Sequence, residues 1–385
     1  AQSRDGAQSR DGAHSRDGAQ TTDGAASTGG AASTDRAANR DGVRTSGDER
    51  TRGRSDAGRG DGSGTRPGEL VSLVGVTVRY RETVAAEDVD LDIARGEAVG
   101  LVGESGSGKT TLGRALLGLV PLAEGEVHLD GRPLSAKIGS RDQRTLQRLQ
   151  MVFQSPDSTL NPRLRVRTTL ERAIAKLGGK QDVTELAASV QLSATQLEQR
   201  PDALSGGLKQ RVAIARAFAG HPDLVVCDEP VSSLDVSVQA GILDLLSRLQ
   251  EQEQVAYLFI SHDLAVTRYL ADRIAVMYRG QLVEVGDAAE VFSPPHHPYT
   301  DTLLRAAPAL GRRRGPTTAP ARRLEVHGSE GCRFADRCPM AVPGLCDHEA
   351  PPWTDLGGGH RVRCHFGADD LAEQQTSAGS RRFAT

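Results

Sequence analysis

The stretch Ala98-Val-Gly-Leu-Val-Gly103-Glu-Ser-Gly-Ser-Gly108-Lys109-Thr110-Thr111 decides the fold. Its first half is an unbroken apolar run, as expected of a central strand covered on both faces. Its second half satisfies G-x-x-x-x-G-K-[ST], and LGRALLGL (112–119) continues with helical spacing. A strand that turns through glycines into a helix is the setting this loop needs. Glycines let successive backbone N–H groups wrap a phosphate, and the helix N-terminus favours an anion. Lys109 is expected to reach the β- and γ-phosphates, and the Thr110 hydroxyl to ligate Mg²⁺. An ordinary glycine-rich turn is the alternative; the flanking strand and helix speak for nucleotide.

Further along, LVVCDEP (224–230) is a second buried strand, and Asp228 stands at its end. A carboxylate there is expensive unless it meets a cation, and Mg²⁺ at the phosphate loop is that cation. Glu229, next to it, is placed to polarise an attacking water. LSGGLKQ (204–210) then RVAIARAFA (211–219) reads as a turn opening a helix, a second anion-binding N-terminus. VAYLFISHD (255–263) is a third buried strand. LVSLVGVTVRY (70–80) and DVDLDI (88–93) alternate instead, as half-buried antiparallel strands do. The pattern predicts an α/β fold with a parallel core.

These motifs together resemble an ATP-binding-cassette (ABC) ATPase. The order carries the resemblance: phosphate loop at 103–110, Gln154 in MVFQ, signature at 204–208, Asp228-Glu229, SSLD at 232–235 and His262 in ISHD. QMVFQSPDSTLNPR (150–163), VMYRGQLVEVGDAAEVFSPPHHPYTDTLLRAAP (276–308) and GCRFADRCP (331–339) narrow it to the ATPases of dipeptide/oligopeptide importers. Importers of nickel or other small solutes share much of this pattern. The resemblance implies a P-loop NTPase cassette over 69–310: a RecA-like parallel sheet core, an antiparallel β subdomain and a helical subdomain at about 155–215. It also implies head-to-tail pairing with a second cassette, identical or paralogous, around two ATP molecules.

Residue by residue, the resemblance implies that Tyr80 stacks on adenine. Gly103, Ser105, Gly106, Ser107, Gly108, Lys109, Thr110 and Thr111 would hold the phosphates. Thr110, Gln154 and Asp228 would fix Mg²⁺ and its waters, Glu229 would be the general base, and His262 would contact the γ-phosphate. Ser205, Gly206 and Gly207 would face the partner's ATP, with Asp235 at the dimer interface. Leu208 departs from the family's usual Gln, which puts that position's role in doubt. The implied partners are two transmembrane permease subunits and an extracytoplasmic solute-binding protein, at the cytoplasmic face of the membrane.

Composition bounds the rest. The 385 residues are 37% hydrophobic and 3% aromatic, with a net charge of −3. That balance argues against a nucleic-acid-binding role. No run approaches a membrane span, and no apolar segment follows a basic start as in a secretory signal. Residues 1–68 hold one large apolar residue, Val43, within six-residue repeats such as AQSRDG. With nothing to bury, this segment is expected to be a disordered tail. One phosphate loop and no long heptad run speak against soluble ribosomal or chromosomal ABC proteins.

The segment 311–385 is a Cys-rich extension. Cys332, Cys338, Cys346 and Cys364 are spaced C-x5-C-x7-C-x17-C. Zinc sites usually carry C-x2–4-C pairs. A 4Fe–4S cluster accepts wider spacing. Three readings stay open: a cluster, zinc with His348, His360 or His365, and free thiols or a disulfide.

Overall fold

The apolar runs become neighbouring strands. In chain order these are β1 (Glu69–Tyr80), β2 (Thr83–Ala94), β3 (Ala98–Val102), β4 (Glu124–Leu129), β5 (Arg132–Pro133) and β6 (Leu149–Val152). They continue with β7 (Leu224–Asp228), β8 (Ala256–Ser261), β9 (Arg273–Tyr278), β10 (Gln281–Asp287), β11 (Trp353–Gly357) and β12 (His360–Arg363). This computed structural model describes residues 68–306 and 330–380. The expected tail, apart from Gly68, therefore lies outside the described residues.

The larger sheet has the order β11-β12-β10-β9-β3-β8-β7-β6. From β6 to β9 its strands run parallel, and β10, β12 and β11 add on antiparallel. Successive side chains of a strand point to opposite faces. Along β7, Leu224 and Val226 enter one apolar cluster and Val225 and Cys227 the other. Along β8, Ala256, Leu258 and Ile260 go one way, Tyr257 and Phe259 the other. Both faces are covered, which is why these strands read as unbroken apolar runs.

A smaller antiparallel sheet, β2-β1-β4-β5, closes one face. Here the alternation expected of 88–93 is seen: Val89, Leu91 and Ile93 are buried, while Asp88 and Asp90 are exposed. After β6 come the helices Val166–Leu177, Val183–Ser189, Ala194–Leu197 and Gly206–Phe218. Leu170, Leu186 and Ile214 from these helices share a cluster with Val225, Tyr257 and Phe259 of the sheet. The helical region thus has no core of its own. The α/β cassette architecture expected from the sequence is the one observed.

The Cys-rich extension is built into the larger sheet. β12 pairs with β10, setting Val362 opposite Glu284. Glu284 is fully buried and accepts from His360 Nε2 at 2.6 Å, from the His297 backbone N–H at 3.1 Å and from the Thr300 hydroxyl. A buried carboxylate is tolerable only with such partners. The His-Pro-Tyr-Thr segment and the extension are therefore held by one acid. Among the described residues no helix is long and apolar enough to cross a membrane.

Candidate nucleotide-binding site

Three strand ends make the floor of the site. Val102 lies opposite Ser261 and Asp228 opposite Ile260, so β3, β7 and β8 end side by side at their C-terminal edges. The phosphate loop leaves β3 there, Glu229 follows β7, and His262 follows β8. In open α/β sheets this edge is where ligands bind.

The loop itself is tightly enclosed. Gly108 has φ +106°, and a Cβ on it would come 2.1 Å from the Ala85 carbonyl oxygen. Neither the angle nor the space suits any other residue. The Ser107 carbonyl accepts from the Gly280 N–H at 2.9 Å, which fixes the loop against the β9–β10 turn. Lys109 opens the helix Lys109–Leu116 and is 5% exposed. Its ammonium donates to the carbonyls of Gly103 and Glu104, both at 2.8 Å. Burial holds its pKa below the usual lysine value.

Asp228 is 2% exposed, and burial raises its pKa above the usual carboxylate range. The Thr110 hydroxyl donates to its Oδ1 at 2.7 Å, and Arg114 Nη2 stands 3.9 Å from its Oδ2. Adjacent oxygen donors around a poorly solvated carboxylate fit a hard divalent cation such as Mg²⁺. Glu229 has φ +45°, a strained value for a residue with a side chain. Its carboxylate accepts from Gln154 Nε2 at 2.9 Å and lies 3.0 Å from His262 Nδ1. Gln154, Glu229 and His262 therefore form one connected set beside Asp228.

Other candidate residues stand apart from this set. Ser205 caps the helix Gly206–Phe218, its Oγ accepting from the Leu208 N–H at 3.4 Å. Among the described residues no hydrogen bond joins Ser205, Gly206 or Gly207 to the phosphate loop of the same chain. The Leu208 side chain packs against the helical-side core, which accounts for an apolar residue at that position. Asp235 precedes the helix Val236–Glu253, and Val236 beside it is 81% exposed. Tyr80 ends β1 and is 47% exposed.

No disulfide joins the five cysteines. The Cys332 N–H donates to the Cys346 carbonyl at 2.8 Å, which brings the two ends of that loop together. Burial pushes the Cys338 thiol up to about 12 and Cys364 up to about 11. Among the described residues no three His, Cys, Asp or Glu side chains converge on a point that a metal could occupy. His360, a candidate ligand, is taken by Glu284. Cys332, Cys338, Cys346 and Cys364 are near enough to one another that neighbouring thiols add to burial in raising the pKa of Cys332, Cys338 and Cys364, but nothing in the arrangement supports the expectation of a 4Fe–4S cluster or of zinc.

Three contributors escaped the sequence reading. Arg114 supplies a second cation near Asp228 from the far end of its helix. Tyr299 and Arg337 reach Glu104 of the phosphate loop across 195 and 233 residues. No local pattern announces contacts of that range.

Two family descriptions match the chain: ABC transporter over residues 86–232, and Oligopeptide/dipeptide transporter, C-terminal region, over residues 283–346. A Brucella abortus protein named for peptide import and ATP binding is 42% identical over 291 residues, 73% of this chain and 86% of its own. A Brucella ovis protein with the same kind of name is 39% identical over 316 residues, 77% of this chain and 97% of its own. Among solved structures, the ATP-binding cassette MJ0796, a dimer bound to ADP and Pi, superposes with a TM-score of 0.50 at 29% identity, covering 57% of this chain and 99% of that one. CbiO1 of Clostridium perfringens shares the fold with a TM-score of 0.53 at 24% identity, covering 59% of this chain and 91% of that one. The chain belongs to the ATP-binding subunits of ABC transporters, in the oligopeptide/dipeptide branch.

Proposed function

We propose that this ATPase energises peptide import as one of a pair of cassettes seated on two permease subunits at the inner face of the membrane. An extracytoplasmic solute-binding protein would deliver the peptide. The observation that carries the catalytic reading is the Glu229 carboxylate, held between Gln154 and His262 beside the buried Asp228.

On this reading Tyr80 stacks on adenine. The N–H groups of Gly103 to Thr111 and the Lys109 ammonium bind the phosphates, so Lys109 exchanges its two carbonyl partners for phosphate oxygens. Thr110, Gln154 and Asp228 would hold Mg²⁺, which would neutralise phosphate charge. Glu229 accepts a proton from water as that water attacks the γ-phosphorus; the bond to the β-phosphate oxygen breaks, giving ADP and phosphate. His262 contacts the γ-phosphate. Ser205, Gly206 and Gly207 contact the ATP on the partner cassette, and Asp235 lies at the shared interface. The exposed Ser205 turn and the bare Val236 are consistent with a surface completed by another subunit. Contacts from the Ser205 turn to the partner's γ-phosphate exist only in the closed pair, so hydrolysis reopens it and moves the permease.

The test is Glu229→Gln. Removing the base is expected to slow hydrolysis by about 10²–10⁴-fold while ATP binding persists. Normal turnover in this variant overturns the assignment.

A further inference from the structure

The segment between Cys332 and Cys338 does something its cysteines do not announce. Its side chains reach the phosphate loop and the turn that holds it. Arg337 makes a two-pronged ion pair with Glu104, Nη2 to Oε1 at 2.9 Å and Nη1 to Oε2 at 3.0 Å. The same guanidinium lies over the rings of Tyr278 and Phe334, at 5.8 and 5.7 Å from their centroids. Asp336 pairs with Arg279 at 3.0 Å, while Arg333 pairs with Glu87 and donates to the Arg279 carbonyl. Arg279 and Gly280 form the turn whose N–H holds the Ser107 carbonyl.

Glu104 is the node of this network. Its backbone N–H donates to the hydroxyl of the fully buried Tyr299 at 2.8 Å. Its carbonyl accepts from the Lys109 ammonium at 2.8 Å. Its carboxylate is taken by Arg337. Tyr299, Tyr278 and Phe334 are buried and pack as one aromatic group, with centroids 4.5 to 5.4 Å apart.

From this geometry we infer that Arg337 and Tyr299 are positioning residues for ATP binding, acting through Glu104. The inference rests on the phosphate loop being the ATP site. Tyr299 fixes the peptide that precedes the cradle. Arg337 fixes the Glu104 side chain and cancels its charge, which would otherwise repel the triphosphate. The C-terminal extension thereby completes the nucleotide site from outside the motif.

The experiment measures ATP binding with Mg²⁺ by equilibrium dialysis on the full chain, together with kcat at saturating ATP. Arg337→Ala is expected to raise Kd for ATP about 3- to 10-fold, the size of losing one half-exposed charge-assisted pair. Tyr299→Phe is expected to raise it about 2- to 5-fold through loss of one hydrogen bond. In both, kcat stays within about twofold of wild type, because positioning is lost and the base is not. In an E104Q background, Arg337→Ala should add little further loss, since the charge it cancels is gone. Equal losses with and without Glu104 would show that Arg337 acts elsewhere, and would overturn the inference. Lys109→Ala separates the two levels. If it loses binding while R337A and Y299F bind as wild type, the positioning inference fails alone. If Lys109→Ala binds ATP normally, the nucleotide site itself has been misread.

Discussion

The phosphate cradle and the Cys332–Cys338 segment lie against each other but treat charge in opposite ways. In the cradle, burial depresses Lys109 and raises Asp228, so both are charged groups short of solvation. Across the boundary, Arg337, Asp336 and Arg333 each have a partner of opposite charge. The first arrangement favours any ligand that brings phosphate and a divalent cation. The second already has its opposite charges paired and serves as support. Burial that costs stability marks the reacting region, and completed pairs mark the scaffold.

The contrast can be broken most strongly at Asp228. Asp228→Asn is expected to lower Mg²⁺-dependent hydrolysis on the order of 100-fold or more. Because burial raises the Asp228 pKa, ionisation at neutral pH works against folding, so the same variant should melt higher without nucleotide. A variant that lost both activity and stability would show Asp228 to be scaffold.

Phe334→Ala tests the other side. Its ring is 1% exposed within the aromatic group, so truncation should cost about 3–5 kcal/mol in denaturant unfolding. A loss under 1 kcal/mol would mean that the extension is not built into the core.

His297 gives a pH-dependent version. Burial lowers its pKa from 6.5 to about 3, so the folded state keeps it neutral while the unfolded chain takes up a proton. Stability is therefore unaffected above about pH 6.5 and falls as pH drops from there toward 3. Comparing denaturant midpoints at pH 7.5 and 5, His297→Asn should lose less on acidification than wild type. An unchanged pH dependence would assign the acid sensitivity to another group.

The smallest effect concerns the thiols. With Cys338 near 12 and Cys364 near 11, both should alkylate more slowly at neutral pH than an unperturbed cysteine, timed by mass spectrometry. Fast labelling would show the segment opening readily.

What could be read in advance follows the same division. The cradle was legible because its groups are close in sequence or sit at the ends of apolar strands: Lys109 and Thr110 in one loop, Asp228 and Glu229 after LVVC, His262 after LFIS. The two-faced burial of β7 and β8 was written in their unbroken apolar runs, and the one-faced burial of β2 in its alternation. The support was not legible. The Cys spacing drew attention to ligands, whereas the residues in contact with the loop are those between the cysteines. Nothing local indicates that Arg337 meets Glu104, 233 residues away, or that His360 meets Glu284, which the pairing of β12 with β10 brings together.

The most direct test is a structure of the Glu229→Gln protein with ATP and Mg²⁺. The account predicts a closed pair in which Ser205 of each subunit lies within hydrogen-bonding distance of the γ-phosphate held by the partner's Lys109 loop. A triphosphate bound with the Ser205 turn facing solvent in every assembly would contradict it.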